Sequence, residues 1–176
     1  MGRLIASANM TADMVIDPLE DWFQPNLGMA DGIAQLRAAD ALILGRKTYE
    51  QLADFWPESS DEWADLINPM PKHVASRTLE EPLTWNSQLL GADIASEVAD
   101  LKSRYSGDLV LYGIGELANG LARLDLVDEV RLWVHPVIWG SGVRPFHAGE
   151  LPIHLHLISA TTYASGMVRL AYRPSA

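Results

Sequence analysis

The apolar residues in the first two-thirds of the chain alternate between short continuous runs and helical spacing. The runs at 41–44 and 108–112 each end at a glycine, as expected for strands buried on both faces. Between such runs, apolar residues recur every three or four positions, which is typical of a helix packed on one face. The pattern predicts strands at 3–10, 41–44, 72–76 and 108–112, and helices at 31–39, 48–55, 93–105 and 116–124.

The last third of the chain has a different pattern. Apolar runs at 129–135, 155–163 and 167–172 follow one another without a helix between them, and Ser165-Gly166 suits a hairpin turn. The predicted fold is therefore a three-layer α/β/α domain whose mixed, mostly parallel sheet ends in antiparallel strands. At 176 residues the chain is predicted to form one domain, residues 1–176.

The composition does not alter the predicted fold, but it argues against some classes of partner. The chain has 13 Lys and Arg against 23 Asp and Glu, so its formal net charge is −10. A field of that sign repels nucleic-acid backbones and anionic lipid, which argues against both partners and favours a small-molecule substrate. The chain has no cysteine, and no apolar run approaches the ~20 residues of a membrane helix. Both features are consistent with a cytoplasmic protein.

The most specific local motif is GIGELA at 113–118, which lies between a predicted strand and a predicted helix. Glycines allow close approach to the backbone, and a helix N-terminus offers free N–H donors to a phosphate. A dinucleotide fingerprint also needs an acidic residue at the end of the next strand, where His135 stands instead. Two interpretations stay open, a tight turn without a ligand or a phosphate site formed by Gly113, Ile114, Gly115 and Glu116.

Two further clusters follow predicted strands. Gly45, Arg46, Lys47 and Thr48 lie where a strand meets a helix, and Ser76 and Arg77 follow the next strand. Arg binds phosphate oxygens in a bidentate manner, and Thr48 is suited either to cap the helix or to bind a phosphate. The alternative is a capped helix with solvated charges. Because open α/β sheets bind ligands at the carboxyl ends of their strands, these clusters favour a phosphate-bearing ligand.

Two features of the C-terminal strands lead to different expectations. His154 and His156 share one face of a strand, but no third ligand is apparent, so we predict no metal site. The edge strands and the apolar segment 133–139 expose surface that a second copy of the chain is suited to cover. The sequence therefore predicts a homodimer.

The ordered set of motifs resembles the dihydrofolate reductase superfamily, above all the reductase domain of the bifunctional riboflavin-biosynthesis deaminase–reductase. The matching segments are TADMVI (11–16), LGRKTYE (44–50), SRT (76–78), YGIGEL (112–117), VDEV (127–130) and PVIWGSG (136–142). The resemblance implies a dihydrofolate reductase-like fold and NADPH as the hydride donor. It implies that Gly45, Arg46 and Thr48 bind phosphates. It also implies that Ser76 and Arg77 lie near the adenosine 2′-phosphate, and that residues 113–116 surround the pyrophosphate.

The chain departs from the pattern of the families it resembles at several positions, two of which bear on the substrate. Leu27 stands where dihydrofolate reductases have an acid, and leucine cannot assist proton transfer, so dihydrofolate reduction is not expected. Met14 replaces a glycine of the riboflavin-type reductases, while Asp13 is retained as a candidate substrate contact. The resemblance implies an NADPH-dependent reductase that transfers hydride to a small heterocyclic or imine-like substrate, similar to 5-amino-6-(5-phosphoribosylamino)uracil reductase. The alternatives are an inactive dinucleotide-binding or interaction module and an enzyme that reduces small carbonyls.

Overall fold

The computed structural model describes residues 1–24, 28–145 and 152–175, which contain eight strands and five α-helices. The strands are β1 (Leu4–Thr11), β2 (Ala39–Gly45), β3 (Lys72–Ala75), β4 (Ser87–Leu89), β5 (Asp108–Tyr112), β6 (Glu129–His135), β7 (His154–Thr162) and β8 (Val168–Ser175). The helices are α1 (Met29–Ala38), α2 (Arg46–Phe55), α3 (Glu62–Ile67), α4 (Ile94–Arg104) and α5 (Glu116–Arg123). Among the described residues, no helix has the length and apolar character needed to cross a bilayer.

The eight strands form a sheet in the order β4-β3-β2-β5-β1-β6-β8-β7. The pairs β1–β6, β2–β3, β2–β5 and β3–β4 are parallel, whereas β8 is antiparallel to both β6 and β7. The predicted α/β class is therefore confirmed, with a mixed, mostly parallel sheet that ends in antiparallel strands. Gly166, with φ of +86°, forms the predicted turn between β7 and β8.

The chain divides into two compact units. Unit 1 comprises Met1–Leu4 and Ala30–Tyr112, and unit 2 comprises Ile5–Met29 and Gly113–Ala176. The core of unit 1 contains Leu36, Leu42, Leu44, Tyr49, Ile67, Met70, Val74 and Val110, with Trp63 packed against it. In unit 2, side chains on both faces of β1 are buried, because β1 lies inside the sheet. The formation of one domain by residues 1–176 stays a prediction.

Strand β3 starts with a lysine that is fully buried. The Lys72 Nζ donates to the carbonyl oxygens of Ile67 and Asn68 at 2.6 and 2.9 Å, and it lies 4.0 Å from the centre of the Trp85 ring. Helix α3 ends at Ile67, so the ammonium satisfies carbonyls that the end of the helix leaves free. Burial lowers the pKa of Lys72 to about 8. This contact fixes the start of the strand whose other end leads into Ser76.

We expect Lys72→Met to lower the free energy of unfolding by about 1–3 kcal/mol, because two carbonyls lose a charged donor. Urea unfolding at neutral pH measures the difference. Lys47→Met is the matched control, since the Lys47 side chain is exposed on helix α2. Equal unfolding free energies for the Lys72 variant and the parent chain would show that the buried ammonium contributes nothing to stability.

Candidate functional site

In unit 1 the ends of two parallel strands carry the predicted phosphate-binding residues. Gly45 pairs with Ala75, so Ser76 directly follows the residue that lies beside Gly45. Gly45 is the N-cap of helix α2, and no side chain caps this helix, which excludes the capping interpretation of Thr48. A Cβ added at Gly45 would meet nothing within 4 Å. The first turn of α2 therefore has N–H groups that no side chain caps, and the space beside Gly45 is open.

The basic side chains at these strand ends differ in their partners. Arg46 forms an exposed ion pair with Glu50 at 3.2 Å, four residues along helix α2. Arg77 and Lys47 are exposed, and within the described part of the chain neither has a hydrogen bond or an ion pair. An unpaired guanidinium is available to an incoming anion without first breaking an internal contact. Arg77 and Lys47 are therefore better placed to bind a phosphate than Arg46.

The hydroxyl group of Ser76 has one hydrogen-bonding function left. Its Oγ accepts hydrogen bonds from the backbone N–H groups of Thr78 and Leu79 at 3.1 and 3.0 Å. These bonds hold the turn after β3 and leave the hydroxyl proton to donate. A phosphate oxygen is a suitable acceptor for that proton.

In unit 2 the glycine motif forms a turn between Tyr112 and helix α5. Gly113 has φ of +88°, which favours glycine, and its N–H donates to the Ser7 carbonyl at 2.9 Å. Gly115 is the extended N-cap of α5, and a Cβ there would meet nothing within 4 Å. Ile114 is buried, so its backbone rather than its side chain is suited to face a ligand. The exposed Glu116 places a negative charge in the first turn of α5.

Asp13 lies at the centre of a hydrogen-bond cluster in unit 2. Its carboxylate accepts from the Thr11 hydroxyl at 2.7 Å and from the N–H groups of Trp139 and Gly140 at 3.0 and 2.9 Å. The Arg144 guanidinium forms an ion pair with the carboxylate at 3.3 Å and donates to the Asp13 carbonyl at 3.1 Å. Both carboxylate oxygens are therefore engaged in holding residues 139–144 against the end of β1.

The same hydrogen bonds determine the charge of Asp13. The Thr11 hydroxyl and the Trp139 and Gly140 amides hold the pKa of this carboxyl well below its ordinary value. Asp13 is thus ionised throughout the physiological pH range, and its structural contacts do not require a ligand. Its role as a substrate contact stays a prediction. Met14, which stands where the riboflavin-type reductases have a glycine, is exposed and has φ of +66°. Leu27 lies outside the described residues.

A polar pair that the sequence did not predict lies at the ends of β1 and β6. The His135 Nε2 is 3.0 Å from Asn9 Oδ1, and the Trp22 and Phe23 rings lie 5.3 and 5.4 Å from the imidazole. Burial lowers the pKa of His135, so the ring is neutral at pH 7. Within the described part of the chain, neither His135 Nδ1 nor Trp22 Nε1 has a hydrogen-bond partner. The sequence signals for this group were a histidine at the end of the predicted strand 129–135 and the aromatic residues Trp22 and Phe23, which suit either a planar-ring pocket or ordinary core.

The chain is similar over most of its length to known proteins. Residues 20–169 match the family model described as the RibD C-terminal domain. An uncharacterized protein of Bacillus subtilis (strain 168), YyaP, is 31% identical over 180 residues, covering 97% of this chain and 94% of the relative.

Two solved structures have the same fold. A pyrimidine reductase-like protein from Corynebacterium diphtheriae superposes with a TM-score of 0.73 at 13% identity, covering 99% of this chain and 92% of that one. Dihydrofolate reductase from Enterococcus faecalis, solved with NADP(H), gives a TM-score of 0.66 at 14% identity, covering 99% and 98%. These similarities confirm the predicted fold. This chain belongs to the RibD C-terminal domain family and has the dihydrofolate reductase-like fold.

Proposed function

We propose that the chain is an NADPH-dependent reductase that transfers hydride to a small planar heterocycle or imine-like carbon, similar to the uracil reductase of riboflavin biosynthesis. The observation that carries the proposal is the exposed Arg77 guanidinium beside Ser76, next to the uncapped N-terminus of helix α2. Among the described residues this guanidinium has no partner. The family to which the chain belongs, named for RibD, supports the same conclusion.

The strand ends of unit 1 fit the 2′-phosphate of NADPH. A phosphomonoester carries nearly two negative charges and three acceptor oxygens. Arg77 offers a bidentate donor, Lys47 adds a second positive charge, and Ser76 retains its hydroxyl proton as a further donor. In a chain of net charge −10, donors that have no acidic partner within the described ranges are a local exception. NADH lacks the 2′-phosphate, so these donors would not strengthen its binding.

The glycine turn of unit 2 is suited to a second contact with the cofactor, at another of its phosphate groups. Gly113 and Gly115 leave the backbone open to close approach, and the N-terminus of α5 provides N–H donors for a phosphate group. Glu116 opposes an anion in the same turn because it carries like charge. We therefore assign the phosphate contact to the backbone of residues 113–115 and not to the Glu116 carboxylate.

The Asn9–His135 pair is the group best suited to a heterocyclic substrate. Asn9 and Phe23 are half-buried, so this cluster presents an amide and an aromatic face toward the surface. With the ring neutral and its proton on Nε2 toward Asn9 Oδ1, His135 keeps Nδ1 as an acceptor for a ring N–H. NADPH would supply the hydride when bound, and these residues would hold the edge of the accepting ring.

A fluorescence titration with NADPH and NADH, followed by an acceptor screen, tests this function. We expect NADPH to bind more tightly than NADH and to be oxidised with at least one pyrimidine, pterin or quinone acceptor. Tight NADPH binding without oxidation by any acceptor would favour the inactive dinucleotide-binding module. No preference between the two cofactors would contradict the assignment of Arg77 and Ser76. The absence of cysteine supports a cytoplasmic location for this reaction.

A further inference from the structure

Met14 has a backbone conformation that residues with large side chains rarely adopt. Its φ of +66° lies in the left-handed region, where a Cβ crowds the following carbonyl oxygen. Hydrogen bonds close the turn on both sides of this residue. The Met14 N–H donates to the Thr11 carbonyl at 2.9 Å, and the Val15 N–H donates to the Thr11 hydroxyl at 2.8 Å. The surrounding contacts therefore impose the strained conformation on Met14.

The Met14 side chain offsets little of this strain by packing. Its exposed fraction is 39%, whereas Met10 on β1 is 1% exposed, so Met14 buries less apolar area than a core methionine. Glycine would adopt the same φ without strain. Stability alone therefore does not favour methionine at this position. Strain of this kind is concentrated at functional sites, which makes Met14 a candidate for a role in binding.

Hydrogen bonds join the turn that contains Met14 to the end of strand β6. The Val137 N–H donates to the His135 carbonyl at 2.8 Å, and the Ala12 N–H donates to the Val137 carbonyl at 2.8 Å. Ala12 lies two residues before Met14 in the same turn. Met14 is therefore placed beside the end of β6 that carries the imidazole assigned above to the edge of the accepting ring.

The loop after β6 brings a second exposed apolar residue to this turn. Asp13, the neighbour of Met14, accepts hydrogen bonds from the backbone N–H groups of Trp139 and Gly140 at 3.0 and 2.9 Å. These bonds hold the backbone of Trp139 next to the turn, and its exposed fraction is 38%. A thioether and an indole are both suited to contact a planar ring. The two residues thus provide apolar surface next to the candidate substrate group.

Among the residues that the structure describes, the charged groups of this cluster sum to no net positive charge. The Arg144 guanidinium pairs with the Asp13 carboxylate at 3.3 Å, so these two charges offset each other. The half-buried Asp17, whose backbone carbonyl accepts from the Val143 N–H at 2.9 Å, adds a negative charge to the same segment. An anionic acceptor would therefore be repelled here, whereas an uncharged ring would not.

We propose that Met14, together with Trp139, determines the class of acceptor by contacting the face of an uncharged planar ring. The chain would then select acceptors that carry no phosphate. This inference rests on the proposed function, because the acceptor is the molecule whose ring edge we assign to His135. It goes further by naming the side chains that contact the ring face and by excluding anionic acceptors, including a phosphoribosyl compound.

Calorimetric titration with naphthoquinone and naphthoquinone sulfonate tests this selectivity without requiring turnover. The two probes share one planar ring system and differ by a single negative charge, and the chain has no cysteine to react with the quinone. We expect the parent chain to bind the uncharged probe more tightly. Met14→Gly should weaken that binding about tenfold, the factor expected when contact with an apolar side chain of this size is lost. Met14→Lys should reverse the preference, because an ammonium attracts the sulfonate.

Thermal unfolding separates a role of Met14 in binding from a purely structural role. Met14→Gly should raise the melting temperature, because glycine adopts φ of +66° without strain, although the same variant binds the probe more weakly. Asp125→Gly is the matched control, since Asp125 is an exposed residue of unit 2 with φ of +55°. The control should also raise the melting temperature and should leave both probe affinities unchanged. Met14→Leu should retain most of the affinity for the uncharged probe.

The possible outcomes distinguish this inference from the proposed function. Equal affinity of the parent chain for the two probes, no binding of the uncharged probe, or unchanged affinities in Met14→Gly would overturn the role of Met14. NADPH oxidation could still be observed in each of these cases. Conversely, selective binding of the uncharged probe that depends on Met14 would support the ring contact even if no acceptor oxidised NADPH, which would count against the reductase alone.

Discussion

Replacing Arg77 with alanine is expected to weaken NADPH binding by about 10- to 100-fold and to leave NADH binding unchanged. A hydrogen bond to a charged group contributes about 1.5–3 kcal/mol, and about 1.4 kcal/mol corresponds to a tenfold change in affinity. Arg77 has no internal partner within the described residues, so its removal breaks no contact that stabilises unit 1. Fluorescence titration of both cofactors measures the two effects in one preparation.

Two further variants make the Arg77 experiment specific. Arg77→Lys keeps the charge and loses the bidentate geometry, so it should give an intermediate NADPH affinity. Arg37→Ala is the matched control, because Arg37 is an exposed arginine of unit 1 that pairs with Glu62. Equal losses for NADPH and NADH in Arg77→Ala, or no loss for either, would refute the assignment of the 2′-phosphate to this residue.

The second large effect is a loss of stability in mild acid that depends on His73. Burial, together with the nearby positive charge of Arg104, lowers the pKa of His73 to about 4. An unfolded histidine titrates near pH 6.5, so between about pH 6.5 and 4 the unfolded chain binds a proton that the folded chain excludes. The free energy of unfolding should therefore fall by about 1.4 kcal/mol per pH unit as the pH decreases. The total loss from this histidine should reach about 3 kcal/mol at pH 4.

Urea unfolding at several pH values between 7 and 4.5 measures the contribution of His73. The ring is held by Gln88 at 2.9 Å and by the Tyr105 hydroxyl at 3.2 Å. His73→Gln keeps a polar side chain at this position and cannot take up a proton, so it should remove the part of the slope that His73 contributes. The buried His135, whose pKa is also lowered, should still contribute its own part. His156→Gln, at an exposed histidine, should retain it. The same slope in the parent chain and in His73→Gln would exclude His73 as the cause.

The local pattern of residues was sufficient to predict most of the fold. Strands β5 and β6 have the bounds that the sequence predicts, because Gly113 follows the first and Pro136 follows the second. Helix α2 starts at Arg46, two residues before its predicted start, because Gly45 is the N-cap. The short edge strand β4 was not predicted, since its sequence Ser-Gln-Leu has too few residues to show a period.

The site was less predictable because its contacts join distant parts of the chain. The motifs indicated where Ser76, Arg77 and Gly113 lie, since each follows a strand. They did not indicate that Arg46 pairs with Glu50, nor that Asp13 binds Arg144, which is 131 positions away. The Asn9–His135 pair depends on the register between β1 and β6 and has no local signature. Sequence patterns predict elements well, whereas such pairs depend on how the elements align.

The discontinuity of unit 2 has a consequence for how the chain folds during synthesis. Strand β1 is synthesised well before its parallel partner β6, which follows 124 positions later, as in the pairing of Asn9 with Trp133. Unit 1 is complete, apart from its first four residues, within the single stretch Ala30–Tyr112. An apolar strand that waits this long for its neighbour is exposed to misassociation on the translation timescale. The order of synthesis thus leaves β1 without its β6 partner until more than a hundred further residues have been added.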